Sequence, residues 1–588
     1  MSFYSAIGNF LIVKVIFCTN TLTLNIQSIS LKSFMMAHTG KLLALGVSLL
    51  TASAIAAPLN PGDRDYIQNQ QQQRLQHDQQ QRDVLWNAVT PQTAVDGGLS
   101  PSGPCFPVHH IIIRNASLLS PSQQQNITAP YTDRCLNLTE INSLVHALSN
   151  WYMQRGYITS RAFLTEQDLT SGELVIPLLE GRLDEIRLDG QHPHVLLMVF
   201  PGLEGKILNL RDIEQGMEQI NRVRATPVQI EIQPSPRAGY SVVNLTAKPE
   251  FPIGASLGFD NSGQKSTGVG QLNASLTGNN LLGIADRWFI SGARSSAFSE
   301  WRDTQSLQAG VSVPYGYGLL DYSYSWSNYH SSFINNGFTW LSNGDNVAHR
   351  LNGSWVLFRN GDIKSGVQLG LNHYTSHNFL NNTLLTSSSR KITSLQLGLN
   401  HTQKIFGGVA TLNPVISRGM PWFDAESDDG KTGDLPKAQF RKWSISGSFQ
   451  RPLTNSLWWL SSVYSQWSPD RLYGSERLTL GGESSVRGFK EQYLSGDTGG
   501  YLRNEVDYSL FTLPGLGEVS ALAAVDGGWL KSDAQNREST GTLWGSAVGI
   551  STRGRYFYTQ YTVGMPLSYP GHLQPDHVSI YARIGLVF

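Results

Sequence analysis

The chain ends on "HVSIYARIGLVF", residues 577–588. Val578, Ile580, Ala582, Ile584, Leu586 and Phe588 take alternate positions, and Ser579, Tyr581, Arg583 and Gly585 fall opposite them. Successive side chains of an extended strand point to opposite faces, so this pattern describes one apolar and one polar face. The same texture runs back to about residue 251. In "DYSYSWSNY" (321–329), Tyr322, Tyr324 and Trp326 oppose Ser323, Ser325 and Ser327. In "SLQLGLNHT" (394–402), Leu395, Leu397 and Leu399 oppose Gln396, Gly398 and Asn400; in "WSISGSF" (443–449), Trp443 and Ile445 share a side. Such strands build either a soluble sandwich, with the apolar face inward, or a transmembrane barrel, with it outward.

Two features favour the barrel. The segment 250–588 offers no second core layer, and the chain carries an export signal. At roughly 20 residues per strand and connection, the segment holds about 16 antiparallel strands. The terminal aromatic, Phe588, fits the interfacial girdle of such barrels and reads as their C-terminal signal. The export signal is "MMAHTGKLLALGVSLLTASAIAA" (35–57), in which Lys41 precedes an apolar run and small residues, with cleavage after Ala56 or Ala57. It starts late, behind a second apolar patch, "NFLIVKVIF" (9–17). Translation beginning at Met35 or Met36 explains this; an extended signal is the alternative. Residues 1–57 are therefore set aside from the fold.

Composition agrees. The 588 residues balance 44 Lys+Arg against 44 Asp+Glu, which gives no sign of a nucleic-acid partner. Charged residues are only 15%, below the usual share of roughly 25%. No segment after the leader has the 18 or so uninterrupted apolar residues of a membrane helix. Cys105 and Cys135 remain after the leader is removed. In an oxidising compartment they read as a disulfide, with free buried thiols as the alternative.

Ahead of the barrel the texture differs. Residues 58–89 contain "DYIQNQQQQRLQHDQQQRDVLWNAV" (65–89), a run of helix formers with few apolar residues before Val84. A helix polar nearly all round is disordered, solvent-bridging or lodged in a polar cavity. "TPQTAVDGGLSPSGP" (90–104) is a linker. Residues 105–182 read as a small α/β module. "HHIIIRNASLL" is a strand, and "LTEINSLVHALSNWYMQRGY" is a helix with Thr139 as N-cap and Gly156 as its stop. Ile141, Leu144, Val145, Leu148, Trp151 and Tyr152 follow helical spacing. Residues 183–249 repeat the plan, with Leu210, Ile213, Met217 and Ile220 on one side of a second helix.

Enzymatic motifs fail on context. "GASLG" (254–258) matches a hydrolase nucleophile elbow but continues as an alternating strand. "GFDNSGQKS" (258–266) resembles a phosphate loop, yet Gln264 separates Gly263 from Lys265 and no helix follows. No zinc spacing or triad is present, so neither catalytic residue, metal nor cofactor is assigned.

One loop stands out. "GGESSVRGFK" (481–490) lies between "RLTLG" (477–481), a possible strand end, and the strand "GYLRNEVDYSLF" (500–511). Long irregular loops are usually functional or disordered. In the next strand, "EVSALAAVDGGWL" (518–530), Val519, Ala521, Ala523, Val525 and Trp529 share one face, and Ser520, Leu522, Ala524, Asp526 and Gly528 the other. With the first face in lipid, Asp526 points into the lumen. Arg487 is then either its partner or a solvated loop charge.

Taken together, these segments resemble the outer-membrane transporters of two-partner secretion, the ShlB/FhaC/HecB hemolysin-activator (TpsB) family of the Omp85 superfamily. "QRGYITSRAFL" (154–164) with "LLEGRL" (178–183) is similar to that family's first POTRA domain, and "LNLRDIEQGMEQINR" (208–222) to its second. "GFDNSGQKSTG" (258–268) resembles its first barrel strand and turn. Val486, Arg487, Gly488 and Phe489 match the V-R-G-F/Y tip of loop six, here 481–499. Asp526 and Gly528 match F/G-x-D-x-G, although Ala524 departs from its first position. The resemblance covers nearly all of the chain beyond the leader.

It implies a Gram-negative outer-membrane barrel with its POTRA domains in the periplasm. The barrel, lipid around it, would be inserted by the barrel assembly machinery. A large secreted TpsA-type protein (a hemolysin, adhesin or contact-dependent toxin) would meet the POTRA domains, by strand addition to a sheet edge, and cross the barrel without nucleotide. The Gln-rich helix would plug the lumen at rest, and loop six would fold inward with Arg487 held by Asp526. An Omp85-type assembly factor is the alternative function, and a passive porin a third; two POTRA modules weigh against the porin.

Overall fold

The computed structural model describes residues 59–86, 104–431, 435–533 and 540–588. The leader, the start position and the linker as far as Gly103 lie outside these residues. From Ile253 onward the chain forms sixteen antiparallel strands that close into a barrel. The last strand, Ser579–Val587, pairs with the first, Ile253–Asp260, from Arg583 opposite Asp260 to Val587 opposite Ser256. Closure leaves no sheet edge, which is how a sheet satisfies its backbone polar groups in lipid.

The apolar face is the outer one. Ile580, Ile584, Leu586, Leu397, Leu399, Val525 and Trp529 are all exposed, whereas Ser579, Tyr581, Asp526 and Gly528 are buried. A sandwich would reverse this order; lipid in place of water is the solvent that tolerates it. Phe588 is exposed, and its backbone pairs with Ala255. "GASLG" lies within the first strand.

Two α/β modules precede the barrel. In the first, His110–Arg114 runs parallel to Glu173–Leu179, which also pairs with Arg161–Ala162. Helix Leu138–Gln154 buries Ile141, Leu144, Leu148 and Tyr152 against Val108, Leu174 and Ile176. Thr139 is not its N-cap, as the spacing suggested. Asn137 is, because its side chain accepts from the Glu140 amide while Glu140 reaches back to the Asn137 amide. Gly156 ends the helix at φ +92°. Cys105 and Cys135 form a disulfide across the strands Cys105–Val108 and Arg134–Asn137, with Cα atoms 5.3 Å apart.

In the second module Arg182–Leu188 runs parallel to Tyr240–Thr246, with Gln229–Pro234 antiparallel on its other side. Helix Leu210–Asn221 buries Ile213 and Ile220 in the module and turns acids outward to the barrel rim. Glu218 contacts Arg359 and Lys364, Glu214 lies 3.5 Å from Arg359, and the Arg222 guanidinium donates to Ala285 O at 2.6 Å. Arg359 ends the strand Phe338–Arg359 and Lys364 begins Ile363–Leu380, so two barrel strands present the cations together.

Burial alone would raise the Glu218 carboxyl, but Lys364 and Arg359 hold it below its ordinary value of 4.5. A depressed folded-state value means the contribution is complete above that ordinary value and is lost as pH falls through the depressed one. Protease protection of the module–barrel junction should therefore weaken as pH drops below about 4.5 in the wild type. Glu218→Gln should show weaker protection at neutral pH and less pH dependence; equal profiles would remove Glu218 from the account.

Candidate functional site

The lumen is occupied from two directions. The first occupant is helix Pro61–Trp86, polar on nearly every side. Its end is capped by Asn60, whose Oδ1 accepts from the Asp63 amide at 2.7 Å. Of the three fates open to such a helix, it takes the polar cavity. Tyr374 OH donates to Asp63 Oδ1 at 2.8 Å, Asn413 Nδ2 to Asp78 Oδ1 at 2.8 Å, and Arg350 Nη1 to Gln73 Oε1 at 2.8 Å. Arg82 donates to Gln450 Oε1 at 3.1 Å and to Ser448 Oγ. These are side-chain hydrogen bonds to barrel strands rather than a fused apolar core, a type of contact that exchanges readily with water. The loop after the first strand also closes on the helix, with Gln264 Nε2 donating to Asp65 Oδ1 at 2.6 Å. The residue that disqualified the phosphate-loop motif is thus a helix clamp. Beside the helix a cavity of about 2740 Å³ remains, lined among others by Gln72, Gln368, Asp507 and Arg553.

The second occupant is the loop 468–498, between strands Leu457–Trp467 and Gly499–Leu513. "RLTLG" does not end a barrel strand. Leu478–Leu480 pairs with Leu494–Gly496 in a small hairpin of the loop itself. Leu478, Leu480 and Leu494 are buried with Val486, Phe489, Leu530 and Leu543, so the hairpin folds inward to hide its apolar side chains.

At the tip Arg487 meets Asp526. Arg487 Nε lies 2.6 Å from Asp526 Oδ2 and Nη2 lies 2.7 Å from Oδ1, a bidentate pair. The Arg487 amide also donates to Oδ2 at 3.1 Å. Arg487 is 2% exposed and Asp526 0%, so the solvated-charge alternative is excluded by burial. Glu505 Oε2 accepts from Arg487 Nη1 at 3.2 Å and its Oε1 lies 3.0 Å from Arg503 Nη2. The two arginines and two carboxylates form a formally neutral quartet, Arg487 from the loop and the other three from facing strands, with Arg503 the register partner of Asp526.

Glycines make the room. A Cβ on Gly528 would lie 3.0–3.1 Å from Leu480 and Val486. One on Gly545 would lie 1.9 Å from Arg487 O, and one on Gly564 2.7 Å from Gly488 N. These three glycines sit on three successive strands and form a trough for the tip. Gly488 has φ +100°, and a Cβ there would lie 2.6 Å from the Met565 backbone. The last strand completes the seat: Ser579 Oγ donates to Gly488 O at 3.0 Å, and Tyr581 OH accepts from Gly488 N at 3.3 Å. Phe489 is buried, its ring edge-on to Tyr569.

The two occupants touch. Gln71 Nε2 donates to Thr479 O at 2.8 Å and Arg64 Nη2 to Lys490 O at 2.6 Å, both in the loop. The sequence reading missed Glu505, Gly545, Gly564 and Tyr581. The inward parity of Arg503, Glu505 and Asp507 within "GYLRNEVDYSLF" was the available signal for the second carboxylate.

Residues 239–552 match the model of the haemolysin secretion/activation protein ShlB/FhaC/HecB, residues 106–181 a ShlB-type POTRA domain and residues 182–234 a POTRA domain. The chain belongs to the ShlB/FhaC/HecB family. It is 57% identical to the outer membrane transporter CdiB of Escherichia coli over 92% of each chain. It is 29% identical to the hemolysin transporter protein ShlB of Serratia marcescens over 90% of this chain and 93% of that one. The solved structure of CdiB from Escherichia coli superposes with a TM-score of 0.88, covering 91% of this chain and all of that one. In this ShlB/FhaC/HecB member the α/β modules are POTRA domains and the long loop is the sixth on its side of the barrel.

Asp526→Asn would leave the Arg487 guanidinium buried beside one carboxylate instead of two. A loss of about 3–5 kcal/mol is expected, the range for breaking a buried ion pair, measured as denaturant unfolding in detergent. Gly545→Val should expose the loop tip to protease while the barrel remains folded; an unchanged cleavage pattern would refute the trough.

Proposed function

We infer that this chain exports one large secreted protein, of the contact-dependent toxin class, through its barrel once the helix Pro61–Trp86 has left the lumen. The chain is an outer-membrane translocator of two-partner secretion, its barrel in the outer membrane and its POTRA domains in the periplasm. The toxin class is supported by identity across nearly the whole length with transporters named CdiB, not with hemolysin transporters to the same degree. Insertion of the barrel is assigned to the barrel assembly machinery.

The observation that carries the reading is the plug. Its polar surface is held by side-chain hydrogen bonds to a polar wall, so leaving exchanges those bonds for bonds to water at little net cost. An apolar plug would instead have to expose its buried face. The residual cavity is itself lined by the helix, through Gln72, Gln76 and Gln80, so the lumen is shared with the helix until it leaves. Beneath the lumen, Arg161–Ala162 ends a POTRA sheet as an edge strand, and Gln229–Pro234 does the same in the second domain. The outward amide of Ala162 is taken by Ser149 Oγ at 3.0 Å, so the longer edge Gln229–Pro234 is the one for an unfolded substrate to join as an added strand. Within this reading Arg487 and Asp526 keep the sixth loop on the wall, and with it the shape of the channel. No step in it uses a nucleotide or a catalytic group.

A reversible lock tests it. Cysteines replacing Gln81 and Asn413, whose side chains are hydrogen-bonded at 3.1 Å, are to be joined by a cleavable bis-maleimide linker, which alkylates both thiols. Release of the cognate secreted protein should fall to background when locked and return on cleavage. Normal release with the lock closed would contradict passage through this lumen. An assembly factor would show a different outcome, in which loss of the chain depletes many outer-membrane proteins rather than one secreted product.

A further inference from the structure

We propose that the outer wall of the barrel holds the phosphate of an outer-leaflet glycolipid between Arg418 and Arg441. The two arginines lie in strands Gly408–Met420 and Arg441–Pro452 and are direct register partners. Direct partners in antiparallel strands share a face. That face is the lipid one. Leu412 and Ile416 alternate with Arg418 and are exposed, whereas Asn413 reaches the plug. Ile445 alternates with Arg441 and is exposed, whereas Lys442 turns inward to Glu476.

Like charges placed opposite each other destabilise a sheet. Here both side chains are exposed at the membrane boundary, and compensation from the protein is partial. Asp470 lies 3.2 Å from Arg441 Nε, but it also lies 2.9 Å from Lys437 Nζ. Arg418 has no ion pair or side-chain hydrogen bond among the described residues. Two cations thus share one buried carboxylate, Arg418 beside them has none, and the surplus faces outward.

The level in the membrane selects the ligand. These arginines stand at the end of the barrel away from the POTRA domains, one row above the apolar belt. Directly below, Ile416 opposes Trp443, and Trp443 packs against Trp467 with ring centroids 4.5 Å apart and the rings tilted by 38°. Tryptophan marks the headgroup level of a bilayer. Guanidinium groups above and aromatic and branched side chains below match a phosphate attached to acyl chains. Arg suits phosphate because its donors form a fork. A free phosphate would use only the upper half of this surface, and an acidic protein would find no use for the lower half.

Full-length protein in nanodiscs of phosphatidylcholine would be titrated with diphosphoryl lipid A, with dephosphorylated lipid A and with inorganic phosphate, and retained lipid counted by native mass spectrometry. Diphosphoryl lipid A should bind at least about tenfold more tightly than the dephosphorylated form, and millimolar phosphate should not displace it. Arg418→Gln with Arg441→Gln should remove that preference, while Lys531→Gln, a cation elsewhere on the rim, should leave it. Equal retention of the two lipids by the wild type would overturn the proposal without need of a variant. So would displacement by phosphate, or an unchanged preference in the folded double variant.

Discussion

A guanidinium sealed from water needs its charge answered on the spot, and at Arg487 the answer comes from Asp526 and Glu505. Moving either ion from water into the wall is costly, and removing one partner strands the other. The pair is therefore less a reservoir of stability than a specification. The observed placement of the loop 468–498 satisfies both carboxylates, the tip amide and the glycine trough together. Because the loop presents Thr479 O and Lys490 O to the helix Pro61–Trp86, fixing the loop also fixes part of that helix's seat.

This organisation explains two otherwise unrelated compositional features. The Gln-rich helix lacks an apolar stripe because its surroundings are hydrogen-bonding barrel walls, not a core. The wall strands carry inward glycines at 528, 545 and 564 because the loop occupies the space where side chains would project, with its side chains at 528 and its backbone at 545 and 564. At the other side of each strand the constraint is lipid, which asks only for apolar side chains and, at the boundary, aromatic and cationic ones.

The fold was largely legible in the sequence because the two-residue period is a strong local signal, and its outward direction followed once the expected export signal was read as placing the chain in an exported class. The POTRA helices were equally clear, although Thr139 was taken as a cap that Asn137 provides; the reciprocal Asn137–Glu140 bonds lie in the residues but compete with a nearby threonine of similar propensity. Parity also brought Asp526 to the lumen. Parity could not say which loop cation it meets, since Arg487 lies 39 residues away and its approach depends on tertiary folding. Family resemblance named the pair, and the distances show it. "RLTLG" was misread because a strand inside a loop hairpin and a strand in the wall have the same local pattern. The glycine trough escaped notice for a related reason: an inward glycine signals close approach only when the approaching segment is known.

A double-mutant cycle on Arg487 and Asp526 tests the central claim most directly. Unfolding free energies of the wild type, Arg487→Ala, Asp526→Ala and the double variant would be compared in the same detergent. If the buried pair fixes the loop, the double variant should be less destabilised than the sum of the singles, with a coupling of roughly 2–3 kcal/mol. Additive losses would show that the two residues act independently and would contradict the account.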